Sequence, residues 1–250
     1  MDTLLIFLII LIPLLAQIKI TSSYNKYKKE KNICNLTGQE VARKILDENG
    51  LNNIHIVEIN GELTDHYDSE RKVIRLSADI FHGNTLAAAA VAAHECGHAI
   101  QDKENYTFLR MRSAIYPVVN AATSISYYII FAGLLFQAFK LAYIGIALTC
   151  CGLLFQLVTL PVEFDASKRA LQKLEDYHLL SSSEIDGARS VLTAAALTYV
   201  AGIIASVLQI IRLLLITRNE ERNKWFWNFY ILGVFFLCVF LYIKFYFIIK

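Results

Sequence analysis

Charged residues are scarce in this chain of 250 residues, at 18% of the sequence, against about 25% in a typical soluble domain. The charges nearly cancel, with 24 Lys and Arg against 22 Asp and Glu, so the chain lacks the basic surface that nucleic-acid binding requires. Its five cysteines are odd in number, and they form no disulfide framework. Hydrophobic residues reach 56% and the mean hydropathy is +0.44, which excludes intrinsic disorder and indicates a membrane protein.

Long apolar stretches are the main feature of the sequence, and about 20 apolar residues are enough to cross a bilayer. Four uncharged stretches have this length: Ser113–Phe139, Leu141–Val162, Ser190–Ile211 and Trp225–Ile243. A fifth stretch, Thr3–Ile18, is marginally short, and both a signal peptide and an uncleaved anchor are compatible with it. We favour the anchor, because no Lys or Arg precedes the stretch and no small-residue cleavage pattern follows it.

The basic residues that flank these stretches predict the orientation of the chain. With the N-terminus outside, twelve Lys and Arg lie on one side of the membrane and five on the other. The positive-inside rule then predicts that residues 21–112 and 163–189 are cytoplasmic, although the basic loop Arg218–Lys224 argues for the opposite orientation. The predicted organisation is an anchor at 1–20, a soluble segment at 21–112, a transmembrane hairpin at 113–162, a helix and loop at 163–189, and two spans within 190–250.

The soluble segment has the pattern of a small α+β unit. Thr37 and Glu40 form the sequence signature of a capping box, and Gly50 ends the helix that follows. The turn signal Asn60-Gly61 lies among three short β-like stretches. These stretches are Ile54–Ile59, Leu63–Tyr67 and Lys72–Leu76.

A second helix of this segment carries the candidate metal site. We expect Asn84 to cap it and the helix to continue to about Gln101, with an uncharged run of eleven residues that is too short for a membrane span. It contains the sequence His94-Glu95-Cys96-Gly97-His98. Histidines four residues apart share a helix face, about 5–6 Å apart, as two ligands of one tetrahedral zinc require. Glu95 is then placed to act as the general base that takes a proton from zinc-bound water.

A zinc site of this kind needs a third protein ligand and one open position for water. The candidate is Glu163, directly after the third predicted span, because the preceding hairpin returns the chain to the side of His94 and His98. Asp165 is the rival ligand. An acid that only complements the start of a helix is the alternative without a metal.

The sequence around these residues resembles the YugP-like neutral zinc metallopeptidases of bacterial membranes. The similar blocks are Leu63–Asp68, Val73–Ser77, Ala92–Gln101, Pro161–Ser167 and Ala194–Ala201. The resemblance covers roughly residues 3–216, and Trp225–Ile243 lies beyond it. It implies a zincin-type fold within a membrane bundle, bound Zn2+, a glutamate as third ligand and a location in the bacterial plasma membrane.

The combined prediction is an α-helical multi-pass membrane protein of about five spans with a small α+β zincin-like cytoplasmic metallopeptidase segment. We expect zinc held by His94, His98 and Glu163 to activate water, Glu95 to act as general base, and peptides or membrane proteins in the bilayer to be the substrates. Oligomeric state is not predicted. The edge strand that pairs with an extended substrate is expected at Lys72–Leu76.

Several further roles are predicted with alternatives. Tyr199 and Arg189 are candidates for stabilising the oxyanion, as is His178. In distantly similar membrane gluzincins an Asp supports the first histidine, but Ser167 stands at that position, so that support is in doubt or moves to Asp165 or Asp79. Cys96 and His66 are interpreted as structural.

Two other functions are compatible with parts of the pattern. A site-2-type intramembrane protease would place its zinc motif inside a span, which the short apolar run before His94 argues against. A zinc-stabilised membrane scaffold or regulator without catalysis would need the histidine pair and Glu163 but would leave Glu95 without a purpose.

Overall fold

The structure is a computed structural model that describes residues 2–222, so the predicted span Trp225–Ile243 lies outside the described residues. These residues are mostly helical and include one small sheet. In chain order the elements are α1 (Asp2–Tyr27), α2 (Gly38–Glu48), β1 (His55–Ile59), β2 (His66–Asp68), β3 (Val73–Ser77), α3 (Ala78–Phe81), α4 (Leu86–Lys103), α5 (Thr107–Leu135), α6 (Phe139–Asp176) and α7 (Ser182–Arg222).

Four of the described helices, α1, α5, α6 and α7, are long and apolar enough to cross a membrane. The helices α1, α6 and α7 each contain one predicted span and extend beyond it. The span predicted at Ser113–Phe139 is too long at its C-terminal end, because α5 ends at Leu135 and Phe139 begins α6. The helix α6 continues without a break from the third predicted span through Glu163 to Asp176. It continues because most residues after Val162, although many are polar, have high helix propensity. A metal ligand candidate therefore lies on the same helix as an apolar stretch.

The chain divides into two compact units. One contains the N-terminal part of α1, most of α5, the first half of α6 and the later part of α7. In this unit α5 and α6 approach closely, since a Cβ atom on Gly133 would lie 2.5 Å from the backbone nitrogen of Ala142. The buried Arg212 donates to the Asp2 carboxylate at 2.7 Å.

The other unit comprises Ala16–Arg110 and Thr159–Thr198. Its helix α2 begins at the predicted capping box: the Thr37 hydroxyl accepts from the Glu40 N–H, and the Glu40 carboxylate accepts from the Thr37 N–H. This confirms the sequence prediction. The apolar face of α2, including Val41 and Ile45, is fully buried and belongs to the same core as the Ala-rich face of α4.

The sheet of this unit has the strand order β1-β3-β2. The strand β3 pairs in parallel with β1 and antiparallel with β2, so the prediction that Lys72–Leu76 forms an edge strand is wrong. Ile74 and Leu76 are fully buried, as expected for a strand that has a neighbour on each side. The strand predicted at Leu63–Tyr67 starts later, at His66, because Leu63 adopts a positive φ of 55°.

The N-cap of α4 lies one residue later in the sequence than expected. Thr85 is the N-cap, and its hydroxyl accepts from the Ala88 N–H, whereas the Asn84 side-chain amide donates to Asn35. The residues from Leu86 to Ala90 are almost completely buried, which confirms the interpretation of α4 as a core helix. The histidine motif follows in the middle of this buried helix.

Candidate metal centre

His94, His98 and Glu163 meet in the structure as a group that can hold a metal ion, with their ligand atoms all within 4.8 Å of one another. The two histidines come from consecutive turns of α4, and Glu163 comes from α6. Glu163 Oε2 lies 3.3 Å from His94 Nε2 and 3.6 Å from His98 Nε2. The group is mostly buried, with the Glu163 side chain only 4% exposed.

The donor set and its spacing fit zinc. Zinc bonds to histidine nitrogen and carboxylate oxygen are about 2.0–2.2 Å long, so two ligand atoms of a tetrahedral zinc lie about 3.3–3.6 Å apart. The distances from Glu163 Oε2 to the two histidine Nε2 atoms are close to this ligand-to-ligand distance. Three protein ligands from these residues would leave one coordination position for water or substrate.

A close approach of the two helices explains how Glu163 reaches the histidines. Gly97 lies between the ligands of α4, and a Cβ atom built on it would stand 2.6 Å from the backbone oxygen of Ala166. Ala166 and Ala170 are almost completely buried on the same face of α6. The absence of side-chain bulk on both helices lets their backbones touch one turn away from Glu163.

Each histidine has a partner at its second ring nitrogen. His94 Nδ1 lies 3.2 Å from the Ser167 hydroxyl, which stands at the position where the distantly similar membrane gluzincins have an Asp. His98 Nδ1 lies 3.0 Å from Gln101 Oε1. Because these contacts occupy Nδ1, the Nε2 atoms of both rings face Glu163 and the metal position.

Asp165 does not belong to the metal-competent group. Its Oδ2 atom accepts from Gln101 Nε2 at 2.8 Å and from Arg169 Nε. The structure therefore brings Glu163 to the histidines and turns the rival carboxylate toward Gln101. Asp79, the other candidate for supporting a histidine, pairs with Lys28 instead.

Comparison with known proteins places the chain in a family. A family described as "Putative neutral zinc metallopeptidase" matches residues 3–218. The chain belongs to this family. It is 42% identical over 209 residues to "Putative membrane protease YugP" of Bacillus subtilis (strain 168), a match that covers 84% of the chain and 93% of that protein. No solved structure matches the chain significantly.

Family membership implies Zn2+ as the metal, which the two imidazoles and one carboxylate suit. The donor set and the spacing of the ligand atoms are compatible with that metal. The match extends across both the histidine motif and Glu163, and it ends before the predicted last span.

In this member of the zinc metallopeptidase family, Glu95 lies next to a metal ligand but is not part of the ligand group. Its side chain is buried, and the backbone N–H of Tyr67 in β2 donates to its carboxylate. Burial raises the pKa of Glu95 to about 7, an effect that His94 opposes and the Asp65 and Glu163 carboxylates reinforce. A carboxyl group with a pKa near neutrality can accept and return a proton.

The remaining sequence candidates have other contacts or stay untested. The Arg189 side chain is 58% exposed and lies 4.0 Å from Asp186, and Tyr199 lies further along the same helix, α7. The roles of both in stabilising an oxyanion remain predictions. The buried Cys96 donates toward the Ala42 carbonyl, which agrees with a packing role, and His66 Nδ1 lies 2.8 Å from the Thr64 carbonyl.

Sequence reasoning missed Gln101. It follows His98 by three residues and therefore shares its helix face. A large amide in an otherwise apolar core helix was the available signal, because a fully buried polar side chain needs hydrogen-bond partners.

Proposed function

We propose that this chain is a membrane-bound zinc metallopeptidase that hydrolyses peptide bonds of protein or membrane-protein substrates. The observation that carries the proposal is the meeting of Glu163 with His94 and His98, almost seventy residues away in sequence, beside a buried carboxyl group that is not a ligand. A purely structural zinc site has four protein ligands and no need for such a carboxyl group. Metal, open position and base together are the requirements of hydrolysis.

The chemistry divides between the metal and the side chains. His94, His98 and Glu163 would hold zinc, which when bound would lower the pKa of a water ligand and polarise the scissile carbonyl. Glu95 takes the water proton and returns it to the leaving amine. The Tyr67 N–H holds the Glu95 carboxylate in position, and burial keeps its pKa in the range that allows both transfers.

We assign the substrate backbone to the outer edge of β2. The strand pairs with β3 on one side only. Because the Tyr67 N–H reaches Glu95, the Tyr67 carbonyl also faces away from β3. An extended peptide that adds to this edge by main-chain hydrogen bonds would lie beside the catalytic base.

The proposal includes a multi-pass arrangement in the bacterial plasma membrane with the active site on the cytoplasmic side. Four described helices of sufficient length and apolarity support this, together with the excess of basic residues flanking 21–112 and 163–189. We propose Tyr199 and Arg189 as the residues to test for oxyanion stabilisation. The predicted span Trp225–Ile243 would be the fifth.

The other two functions are less well supported. Among the described residues, α4 is not one of the helices apolar enough to span a membrane, which argues against an intramembrane protease. A non-catalytic scaffold gives no reason to bury the Glu95 carboxyl group next to the ligands, since its burial raises the pKa and costs stability when the group is ionised.

The test is cleavage of a diverse peptide library by the full chain in detergent or nanodiscs, with Glu95→Gln at matched zinc content. We expect the wild type to cut and the variant to lose at least 100-fold in rate. Retained zinc in both proteins with no cleavage, including of membrane-presented substrates, would favour the scaffold. Equal cleavage by both would show that Glu95 is not the base.

A further inference from the structure

Gln101 is a fully buried polar side chain with all of its strong hydrogen-bonding atoms engaged. Its Nε2 atom donates to the Val162 carbonyl and to Asp165 Oδ2, each at 2.8 Å. Its Oε1 atom lies 3.0 Å from His98 Nδ1. The side chain thus connects the second histidine of α4 to α6 on both sides of Glu163.

The orientation of the Gln101 amide follows from its partners. The Val162 carbonyl and the Asp165 carboxylate only accept hydrogen bonds, so the NH2 group must face them. The oxygen must then face His98, and an oxygen can only accept from the ring. His98 is therefore held with its proton on Nδ1 and its Nε2 lone pair turned toward Glu163 Oε2, 3.6 Å away.

Asp165 is itself held in place. Arg169, one turn further along α6, donates from Nε to Asp165 and from Nη1 to Glu104 at the C-cap of α4. This keeps the Asp165 carboxylate an acceptor that faces Gln101. A chain of hydrogen bonds thus leads from the end of α4 through α6 and back to a metal ligand.

The first histidine lacks an equivalent constraint. The partner of His94 Nδ1 is the Ser167 hydroxyl, which can either donate or accept. A hydroxyl therefore permits both neutral forms of the His94 ring. The protein therefore constrains the ring of His98 more strictly than the ring of His94.

We infer that Gln101 is a positioning residue, anchored by Asp165 and Val162, that sets the tautomer of His98 and presents its Nε2 atom to zinc before the metal arrives. The inference rests on the metal site of the proposed function but not on peptide hydrolysis. Loss of an outer partner of a metal ligand typically weakens metal affinity by about 10–100-fold. Gln101→Leu has a similar size and removes all three hydrogen bonds.

The test compares the full chain in detergent with Gln101→Leu, Gln101→Glu and Asp165→Ala. Zinc affinity is measured by competition with a chromophoric chelator. We expect Gln101→Leu to raise the zinc Kd by about 10–100-fold. Gln101→Glu retains an oxygen for His98 but sets its second oxygen against two acceptors, the Val162 carbonyl and the Asp165 carboxylate, so it should bind zinc less tightly than the wild type. Asp165→Ala should have a smaller effect than Gln101→Leu, because the Val162 carbonyl still orients the amide.

A second readout reports on the ring itself. Nitrogen NMR of the 15N-histidine-labelled, metal-free protein distinguishes the two neutral tautomers, and a His98→Asn variant identifies the His98 signals. The wild type should have the proton of His98 on Nδ1, and Gln101→Leu should move it toward Nε2. A wild-type His98 protonated on Nε2 would overturn the inference, even if Gln101→Leu failed to fold.

The control is Asn49→Ala. The Asn49 amide donates to the Ile45 carbonyl and to Tyr177 and has no hydrogen bond to a ligand, so its loss tests general destabilisation. It should lower the melting temperature without changing the zinc Kd. An equal weakening of zinc affinity by Asn49→Ala and Gln101→Leu would overturn the positioning role. Inactivity toward peptides in every variant, with these zinc and NMR results intact, would count only against the peptidase function.

Discussion

The Cα atom of Gly97 stands so close to Ala166 that an added methyl group would lie 2.6 Å from the Ala166 backbone oxygen. This contact joins the helix that carries both histidines to the helix that carries Glu163. A distance under 3 Å to a backbone atom cannot be relieved by rotating a side chain. The metal site therefore depends on the absence of a side chain at a residue that is not a ligand.

Gly97→Ala should push α6 away from α4 and weaken zinc binding. Overpacking of a tight core costs about 1–3 kcal/mol. We expect most of this cost to appear as a higher zinc Kd, because Glu163 moves with α6. The measurement is zinc competition on the purified full chain. Cys96→Ala is the control, since the Cys96 thiol points to Ala42 rather than to α6, and the idea fails if both variants bind zinc like the wild type.

Glu163 and Asp165 can be separated as third-ligand candidates by amide substitutions. Glu163→Gln replaces the carboxylate by a weaker zinc ligand and should lower zinc affinity by more than the 10–100-fold typical of an outer partner. Asp165→Asn should retain zinc far better, because the Asn oxygen can still accept from Gln101. Zinc content by mass spectrometry after dialysis checks both, and the reverse ranking would mean that Asp165 is the ligand.

Glu95→Gln should stabilise the metal-free protein while removing activity. The folded-state pKa of Glu95 is raised from 4.5 to about 7 by burial, so the folded state holds its proton more tightly than the unfolded state does. The wild type therefore loses stability as pH rises from the unfolded pKa through about 7. Gln does not titrate, and the advantage of the variant should grow over this range toward about 3 kcal/mol.

The measurement for Glu95→Gln is the denaturation midpoint of the metal-free proteins in detergent between acidic and mildly basic pH. The difference between variant and wild type should be small at low pH and level off above neutrality. A difference that does not change with pH would contradict the raised pKa. A difference that shrinks as pH rises would mean that the pKa of Glu95 is lowered in the folded state rather than raised.

Tyr67→Pro should reduce activity while zinc stays bound. Proline removes the N–H that donates to Glu95 but no hydrogen bond to β3, and proline is tolerated at the outward-facing positions of edge strands. A hydrogen bond to a charged group is worth about 1.5–3 kcal/mol, so we expect at least a tenfold loss of rate. Tyr67→Ala is the matched control, because it loses the same side chain and its bond to Asp102 but keeps the N–H. Similar rates for the two variants would show that the Tyr67 N–H has no catalytic role.

The sequence by itself was sufficient for features that depend on near neighbours along the chain. The helix repeat alone accounts for the capping box at Thr37 and Glu40 and for the shared face of His94 and His98. The apolar stretches can be read directly from the sequence. The placement of Glu163 or Asp165 on the side of the histidines could be inferred as well, because an even number of crossings returns the chain to that side. That argument needs only the count of spans between them.

The tertiary structure decided what depends on contacts between distant segments. The order β1-β3-β2 makes Lys72–Leu76 central and leaves β2 beside Glu95, and no local pattern distinguishes that order from the alternatives. The choice between Glu163 and Asp165 required the direction of each side chain on α6. The hydrogen bonds from Gln101 to α6 exist only because Gly97 lets the two backbones touch, and such packing is set by the whole core rather than by any one stretch of sequence.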